Sequence, residues 1–230
     1  MEENKIGAIV LAGGRGSRMR SAVPKQYLDV GGRPVLYYSL AAFQKSPVDK
    51  IILVCGSGQE DYCRRQIVDK YHLTKVEAIV EGGDQRYNAV ENGLRALTGC
   101  GIVLIHDGAR PMVNDAIIRD NIEAVKEYGA CVTAVPSKDT IKMSDEDGFA
   151  ASTPDRSRMW IVQTPQSFNY NLIRAAYEAR RAADDGTLTD DAMAVEKYMY
   201  TRVKLVMGDY RNIKITTPED LGSAEIFLGK

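Results

Sequence analysis

The first residues with chemical potential are the glycines and cations that follow the first apolar segment. Residues 7–19 read as a buried strand that ends in three glycines within four positions. Glycine allows a sharp turn and a close approach of backbone N–H groups to a phosphate. Two arginines of this segment and Lys25 add positive charge beside the turn. The combination predicts a triphosphate site rather than a plain strand-to-helix turn with solvated basic residues.

The spacing of these glycines argues against two other phosphate loops. A P-loop needs Gly, four residues and then Gly-Lys-Ser/Thr, and this string does not occur. The dinucleotide fingerprint needs a third glycine where Met19 stands, after Gly14 and Gly16. A hydride-transferring enzyme is therefore disfavoured.

A second group of charged residues follows the apolar segment at residues 101–105. Asp107 and Arg110 lie just beyond it, where ligands of open α/β sheets bind. The carboxylate could hold a divalent cation and the arginine could bind a phosphate. Alternatively, Asp107 caps the next turn and Arg110 pairs with a surface acid. We expect His106 to stabilise the turn rather than to do chemistry, because neighbouring side chains of an extended chain point oppositely.

Residues 81–86 repeat this pattern at the end of the third predicted strand, with two glycines followed by charged residues. Three strand ends thus carry glycine, charge or both. Folding alone does not readily explain this convergence.

Strand-like and helix-like segments alternate along the chain. Alternation with apolar strands predicts an α/β fold with a mostly parallel sheet and helices on both faces. The predicted strands are 7–11, 51–55, 76–80, 102–105, 131–135, 160–162 and 203–207. The predicted helices are 35–45, 59–70, 86–97, 114–128 capped by Asn114, 169–183, a short helix capped by Thr189, and a last helix that begins at Thr217.

The alternation breaks in residues 137–160, which are polar and contain Asp147-Gly148 between strand-like flanks. This pattern predicts a β-hairpin that protrudes from the main core as an arm. The alternative is a disordered insertion. We interpret residues 1–230 as one domain with this arm as a subdomain.

Composition excludes several classes of protein. The 230 residues are 44% hydrophobic and 27% charged with a net charge near −1, so we expect no nucleic-acid or anionic-membrane partner. No apolar run is long enough to span a membrane, and the acidic N-terminus is unlike a signal peptide, which favours the cytosol. The four cysteines form no CxxC pair, and two histidines leave little material for a histidine-based metal site or triad.

The order of these blocks resembles the 2-C-methyl-D-erythritol 4-phosphate cytidylyltransferases of the non-mevalonate isoprenoid pathway. The resemblance runs nearly end to end and is far more specific than any single block. It implies a Rossmann-like nucleotidyltransferase fold and a Mg²⁺-dependent transfer of CMP from CTP to a polyol phosphate. The matching blocks are residues 11–19, 24–27, 82–86, 106–111, 139–142, 153–156, 163–168, 189–192 and 212–220.

The resemblance also implies roles for single residues. Arg18 and Lys25 are similar to the catalytic pair that stabilises the pentacoordinate α-phosphate, and Asp107 to the Mg²⁺ ligand. The CTP site would comprise Ala12, Gly13, Gly14, Gly83, Asp84, Ala89 and Gly108. The contacts to the acceptor phosphate would be Arg110, Thr140, Arg156, Thr164 and Lys214. In such enzymes the arms clasp across a homodimer, so Thr140 and Arg156 are expected to serve the neighbouring subunit.

One position departs from the family pattern. Ala89 stands where the family usually has a serine, so its hydroxyl contact to the nucleotide is lost or is replaced by water or Asn88. A lost neutral hydrogen bond costs about 0.5–1.5 kcal/mol, which predicts weaker CTP binding without loss of activity.

Three other functions stay open at this point. A ribitol-5-phosphate cytidylyltransferase shares most loops, although Asp155-Arg156 and Ala109 argue against it. A sugar-1-phosphate nucleotidylyltransferase using UTP or GTP is more distant. A non-catalytic nucleotide-binding module is disfavoured by Arg18, Lys25 and Asp107.

Overall fold

In the computed structural model, which describes residues 5–14, 16, 19, 21 and 23–229, strands and helices alternate as the sequence predicts. The strands are β1 (Ile6–Ala12), β2 (Asp29–Val30), β3 (Arg33–Pro34), β4 (Lys50–Cys55), β5 (Val76–Glu81), β6 (Ile102–Asp107), β7 (Ala130–Pro136), β8 (Met143–Ser144), β9 (Ala150–Ser152), β10 (Trp160–Asn169) and β11 (Lys204–Met207). The helices are α1 (Val35–Lys45), α2 (Glu60–Tyr62, continued by a π-helical segment Cys63–Asp69), α3 (Arg86–Ala96), α4 (Asp115–Tyr128), α5 (Tyr170–Ala182), α6 (Asp191–Met199) and α7 (Pro218–Phe227).

Seven strands form the central sheet in the order β11, β7, β10, β6, β1, β4, β5. Every neighbouring pair is parallel except the two made by β10, which runs antiparallel to β6 and β7. The prediction of a mostly parallel sheet is therefore confirmed. The strand predicted at 160–162 is longer than expected, because polar residues that continue it to Asn169 are buried.

Helices cover both faces of the sheet, as predicted. Along β1, Ala8 and Val10 pack against α1 and α4, whereas Ile9 faces α3 and α5. This alternation follows from the two-residue period of a strand, and burial on both faces explains why β1 is apolar throughout.

The helix termini follow local capping chemistry. Asn114 Oδ1 accepts the Ile117 N–H at 2.9 Å at the start of α4, as predicted. Thr217 and Asp220 form a capping box that begins α7. The predicted cap of α6 at Thr189 is wrong by one residue, because Asp190 Oδ1 accepts the Met193 N–H at 2.9 Å.

The hairpin predicted within residues 137–160 is present as β8 and β9. Asp145 closes its turn, with Oδ1 accepting the Phe149 N–H at 2.8 Å, and Gly148 adopts a left-handed φ of 85°. Residues 138–153 are all exposed, so the arm stands away from the core. No described helix is long and apolar enough to cross a membrane. The four cysteines are buried free thiols.

Candidate active site

A cavity of about 740 Å³ opens at the carboxyl edge of the sheet. Its wall is built by the loops after β1, β4, β5 and β6, together with Lys214 and Thr216. Parallel strands end at one edge, so segments far apart in the chain converge there. This is the position where open α/β sheets bind ligands.

Most of the predicted nucleotide residues lie on this wall. Arg18 falls outside the described residues, so its catalytic role stays a prediction. The predicted residues on the wall are Ala12, Gly13, Gly14, Lys25, Gly83, Asp84, Ala89, Asp107 and Lys214.

The loop after β5 is closely packed. A Cβ on Gly83 would stand 2.4 Å from the Asn88 Cβ, so only glycine fits there. Asn88 Oδ1 accepts the Gln85 N–H at 3.3 Å in the capping box that begins α3. The Asn88 side chain is thus engaged at the helix terminus, whereas Ala89 lines the cavity and also packs in the core.

Lys25 is held on the wall by backbone groups of a distant segment. It begins a 3-10 turn, Lys25–Tyr27, and its Nζ donates to the Ile215 carbonyl at 2.6 Å. The next side chain, Gln26, donates to the Ala12 carbonyl at 2.6 Å. These two bonds join the glycine loop, the Lys25 turn and the segment that carries Lys214.

Asp107 is the carboxylate at the centre of the cationic wall. Lys214 Nζ lies 2.8 Å from Oδ2, Arg86 Nε 3.5 Å from Oδ1, and Arg110 Nε 3.9 Å from Oδ2. Burial alone would raise the pKa of Asp107, but Arg86, Lys214 and Arg110 together hold that pKa well below its usual range. Asp107 is therefore ionised at neutral pH.

A chain of hydrogen bonds fixes the backbone around Asp107. The Asp107 N–H donates to Thr164 Oγ1 at 3.0 Å. The Thr164 hydroxyl donates to His106 Nδ1, also at 3.0 Å, because the one proton of the neutral ring is on Nε2, which faces a carbonyl. His106 Nε2 then donates to the Arg110 carbonyl at 3.3 Å. Burial lowers the pKa of His106 to about 4, so the ring is neutral at pH 7. The bond to the Arg110 carbonyl agrees with the prediction that His106 stabilises the turn, and its lack of a chemical role stays a prediction.

Five predicted site residues do not lie on the wall of this cavity. The Gly108 N–H donates to the Leu11 carbonyl, and a Cβ there would stand 2.8 Å from Leu36 Cδ1, so packing already requires this glycine and its CTP contact stays a prediction. Arg110 donates to the Asn212 carbonyl at 2.8 Å. The Thr164 hydroxyl is engaged by its neighbours, and Thr140 and Arg156 are exposed on the arm. Their predicted contacts to the acceptor phosphate stay predictions.

Arg86 and Asp191 are site residues to which sequence reasoning gave no role. Arg86 lies on the wall and forms a two-point ion pair with the buried Asp191. The sequence signal for Arg86 was a cation three positions after the last glycine of the third-strand block. The sequence offered less indication of Asp191, because it lies 105 positions from Arg86 along the chain.

The donor set fits Mg²⁺ that arrives with a triphosphate. Among the residues that the structure describes, no cluster of three or more His, Cys, Asp or Glu side chains could form a preformed metal cage. Mg²⁺ in nucleotide enzymes is usually bound by one or two carboxylates, the substrate phosphates and water. Asp107, an ionised carboxylate on the wall, meets that need.

Comparisons with known proteins agree with this geometry. The family model for 2-C-methyl-D-erythritol 4-phosphate cytidylyltransferase (IspD) matches residues 6–230. Two proteins of that name, from Lachnoclostridium phytofermentans and Lachnospira eligens, are 47% and 49% identical to this chain, over 97% and 96% of its length and 96% and 98% of theirs. The crystal structure of 4-diphosphocytidyl-2C-methyl-D-erythritol synthase from Anaerococcus prevotii is 36% identical with a TM-score of 0.86, covering 99% of this chain and 97% of that one.

Proposed function

This chain belongs to the 2-C-methyl-D-erythritol 4-phosphate cytidylyltransferase family and is a cytidylyltransferase, and we propose that it transfers CMP from CTP to the phosphate of 2-C-methyl-D-erythritol 4-phosphate. The observation that carries the proposal is the ionised Asp107 on a cavity wall that also presents Lys25, Lys214 and a glycine loop. Cations, a carboxylate that can bind Mg²⁺ and a glycine loop with backbone N–H groups are the groups that bind a triphosphate.

The reaction needs no general base from the protein. A phosphate monoester has a second pKa near 6, so the acceptor is already a dianionic nucleophile at pH 7. One of its oxygens attacks the α-phosphorus of CTP, and the bond to the β-phosphate oxygen breaks, so pyrophosphate leaves with that electron pair. His106 is neutral and donates to the Arg110 carbonyl, which is consistent with a structural role rather than that of a general base.

The protein must instead reduce the repulsion between two anions. Lys25 is anchored at the backbone carbonyl of Ile215 and faces the cavity, where its charge suits the α-phosphate. Lys214, with a side chain 37% exposed, can turn from Asp107 to an entering phosphate. Asp107 would hold Mg²⁺, which when bound neutralises charge on the triphosphate.

The acceptor half of the site is proposed to need a second copy of the chain. Thr140 and Arg156 belong to the arm and lie off the wall of their own cavity. The arm also exposes apolar side chains, with Met143 58% and Phe149 72% exposed. We propose a homodimer in which residues 137–160 of one chain complete the cavity of its partner, while residues 1–230 form one domain. The cytoplasmic location stays a prediction.

A pyrophosphate-release assay tests the proposal. CTP with 2-C-methyl-D-erythritol 4-phosphate and Mg²⁺ should release pyrophosphate, and omission of either the acceptor or the metal should stop it. UTP and GTP should be poor donors, and ribitol 5-phosphate a poor acceptor. Faster turnover with ribitol 5-phosphate would overturn the acceptor, and no release with any pair would overturn the catalytic function.

A further inference from the structure

Asp191 is a completely buried carboxylate whose charge serves no step described so far. It is the first residue of α6, and its two oxygens accept from Arg86 NH1 and NH2, each at 2.7 Å. The Tyr177 hydroxyl donates to Oδ1 at 2.6 Å, and the Asp191 N–H donates to Gln166. A buried charge this fully satisfied is held in one place, because moving it would leave an unpaired ion in the core.

Arg86 connects this buried anchor to the cavity. Its two terminal nitrogens are taken by Asp191, while its Nε lies 3.5 Å from Oδ1 of Asp107. The residue begins α3 directly after the glycine loop and lines the cavity. One planar guanidinium therefore bridges the buried acid and the acid on the wall.

The other two cations beside Asp107 are held differently. Lys214 makes a single contact from a partly exposed side chain, so an entering phosphate can draw it away. Arg110 stands at 3.9 Å and donates its NH1 to a carbonyl. Only Arg86, among the cations that the described residues place around Asp107, is locked at two points by a buried carboxylate.

We propose that Arg86 is a positioning residue that fixes the Asp107 carboxylate for the metal–nucleotide complex, and that Asp191 is the anchor that fixes Arg86. The inference rests on the proposed function, since it assumes that CTP and a divalent cation meet at Asp107. Partners behind a metal ligand orient it and commonly change metal affinity by about 10–100-fold when lost. Arg86 is such a partner of Asp107, and Asp191 in turn holds Arg86.

A second buried ion pair provides a matched control. Arg180 NH2 lies 3.0 Å from Glu91 Oε1, with side chains only 7% and 12% exposed, and it joins α5 to α3. The Arg180 guanidinium also stacks over the Tyr87 ring at 4.1 Å. Neither Arg180 nor Glu91 lies on the cavity wall. Substitutions in this pair therefore show how much stability is lost when a buried ion pair beside α3 is broken away from the cavity.

The experiment measures binding of Mn²⁺, as the probe metal, to the full-length protein with saturating CTP, by calorimetry. Arg86→Lys and Asp191→Asn should each weaken Mn²⁺ binding about tenfold or more, as expected for lost outer partners of a metal ligand. Arg180→Lys and Glu91→Gln should change it less than about twofold, because they do not touch Asp107. Thermal unfolding of all four variants is recorded in parallel.

A similar Tm loss in both pairs, with weaker Mn²⁺ binding only for Arg86→Lys and Asp191→Asn, would establish the positioning role. Equal Mn²⁺ affinity in all four variants would overturn it. If Arg86→Lys does not fold, Asp191→Asn and the milder Tyr177→Phe decide, since the latter removes only one hydrogen bond to Asp191. The assay uses no acceptor, so an absence of Mn²⁺–CTP binding by the unmodified protein would overturn both proposals, whereas unchanged binding in the variants contradicts only this one.

Discussion

The nucleotide cavity and the β-arm differ in how completely one chain builds them. In the cavity, Lys25, Arg86 and Asp107 each have partners that come from segments distant in sequence. In the arm, residues 138–153 are exposed throughout, and the hydrogen bonds of Asp145 are local. The cavity is thus fixed by the core, whereas the arm is ordered mainly by its own turn.

This difference suggests which substrate each region serves: the cavity binds CTP and the arm contributes to binding the acceptor. The groups suited to CTP are assembled within a single chain and supported by buried contacts. The groups predicted for the acceptor are split between the core, which carries Lys214, and the arm, which carries Arg156. Changes in the cavity should therefore impair chemistry in every oligomeric state, whereas changes in the arm should act through the acceptor and the dimer.

The largest effect is expected for Lys25→Ala. The Lys25 charge faces the cavity, and loss of a donor that meets transition-state charge costs about 2.7–4 kcal/mol, or 10²–10³ in kcat. Steady-state kinetics should show kcat falling far more than KM for CTP rises. Lys126→Ala, at an exposed ion pair of α4, is the control and should leave kcat unchanged. A Lys25→Ala enzyme that retains more than half of the wild-type kcat contradicts the assignment.

Deleting the arm tip, residues 145–148, should give the next largest effect. The deletion removes the turn closed by Asp145 and should weaken both the dimer and turnover. Sedimentation velocity and the pyrophosphate assay measure the two losses. Mn²⁺–CTP binding is the internal control, because the cavity is assembled without the arm and should keep its affinity. A truncated protein that remains a fully active dimer would remove the arm from the mechanism.

Arg156→Lys should produce a smaller and more selective effect. Arginine can bind a phosphate at two points where lysine cannot, so KM for 2-C-methyl-D-erythritol 4-phosphate should rise roughly tenfold while CTP binding stays nearly intact. The alternative, in which Arg156 only pairs with Asp155 or Asp139, is not seen among the described ion pairs; Arg156 NH1 instead approaches the Lys138 carbonyl at 3.4 Å. Asp155 Oδ1 accepts from Ser157.

Arg158→Lys, on the same 3-10 turn, is the matched control for Arg156→Lys. Kinetics with both substrates varied decide the question. An unchanged KM for the acceptor, or an equal loss for CTP, would mean that Arg156 does not recognise the acceptor.

Local patterns were sufficient to predict most of the fold. Alternating apolar segments gave the order of strands and helices, and capping residues gave the starts of α4 and α7. The full length of β10 could not be predicted, because Gln163 and Gln166 look like loop residues. They are buried only because distant groups satisfy them: Gln163 bonds to Asp209 and Asn212, and Gln166 accepts from the N–H of Asp191.

The same distinction applies to the site. Gly13, Lys25 and Asp107 could be placed on the cavity from the sequence because glycine and charge cluster at or after the end of an apolar strand. The Arg86–Asp191 pair could not be derived in this way, since its partners meet only after the chain folds. Gly108 shows that a glycine in a ligand-like loop can also be required by packing, here against Leu36, which the sequence does not reveal.

The smallest effect is expected where the chain departs from its family. Ala89 lines the cavity, and Ala89→Ser would restore a hydroxyl at this position. One neutral hydrogen bond contributes about 0.5–1.5 kcal/mol, so KM for CTP should fall about two- to tenfold with kcat unchanged.

The helix-propensity cost of serine is at most about 0.7 kcal/mol and affects stability rather than binding. Ala96→Ser carries that cost in α3 away from the cavity wall and is the control. An Ala89→Ser enzyme whose KM for CTP equals that of Ala96→Ser would mean that water already replaces the missing hydroxyl, since Asn88 is engaged at the helix terminus. In that case the cavity would keep its CTP affinity after losing one contact, because its other groups are held in place. The arm should not compensate in this way, because Arg156 lies on an exposed turn.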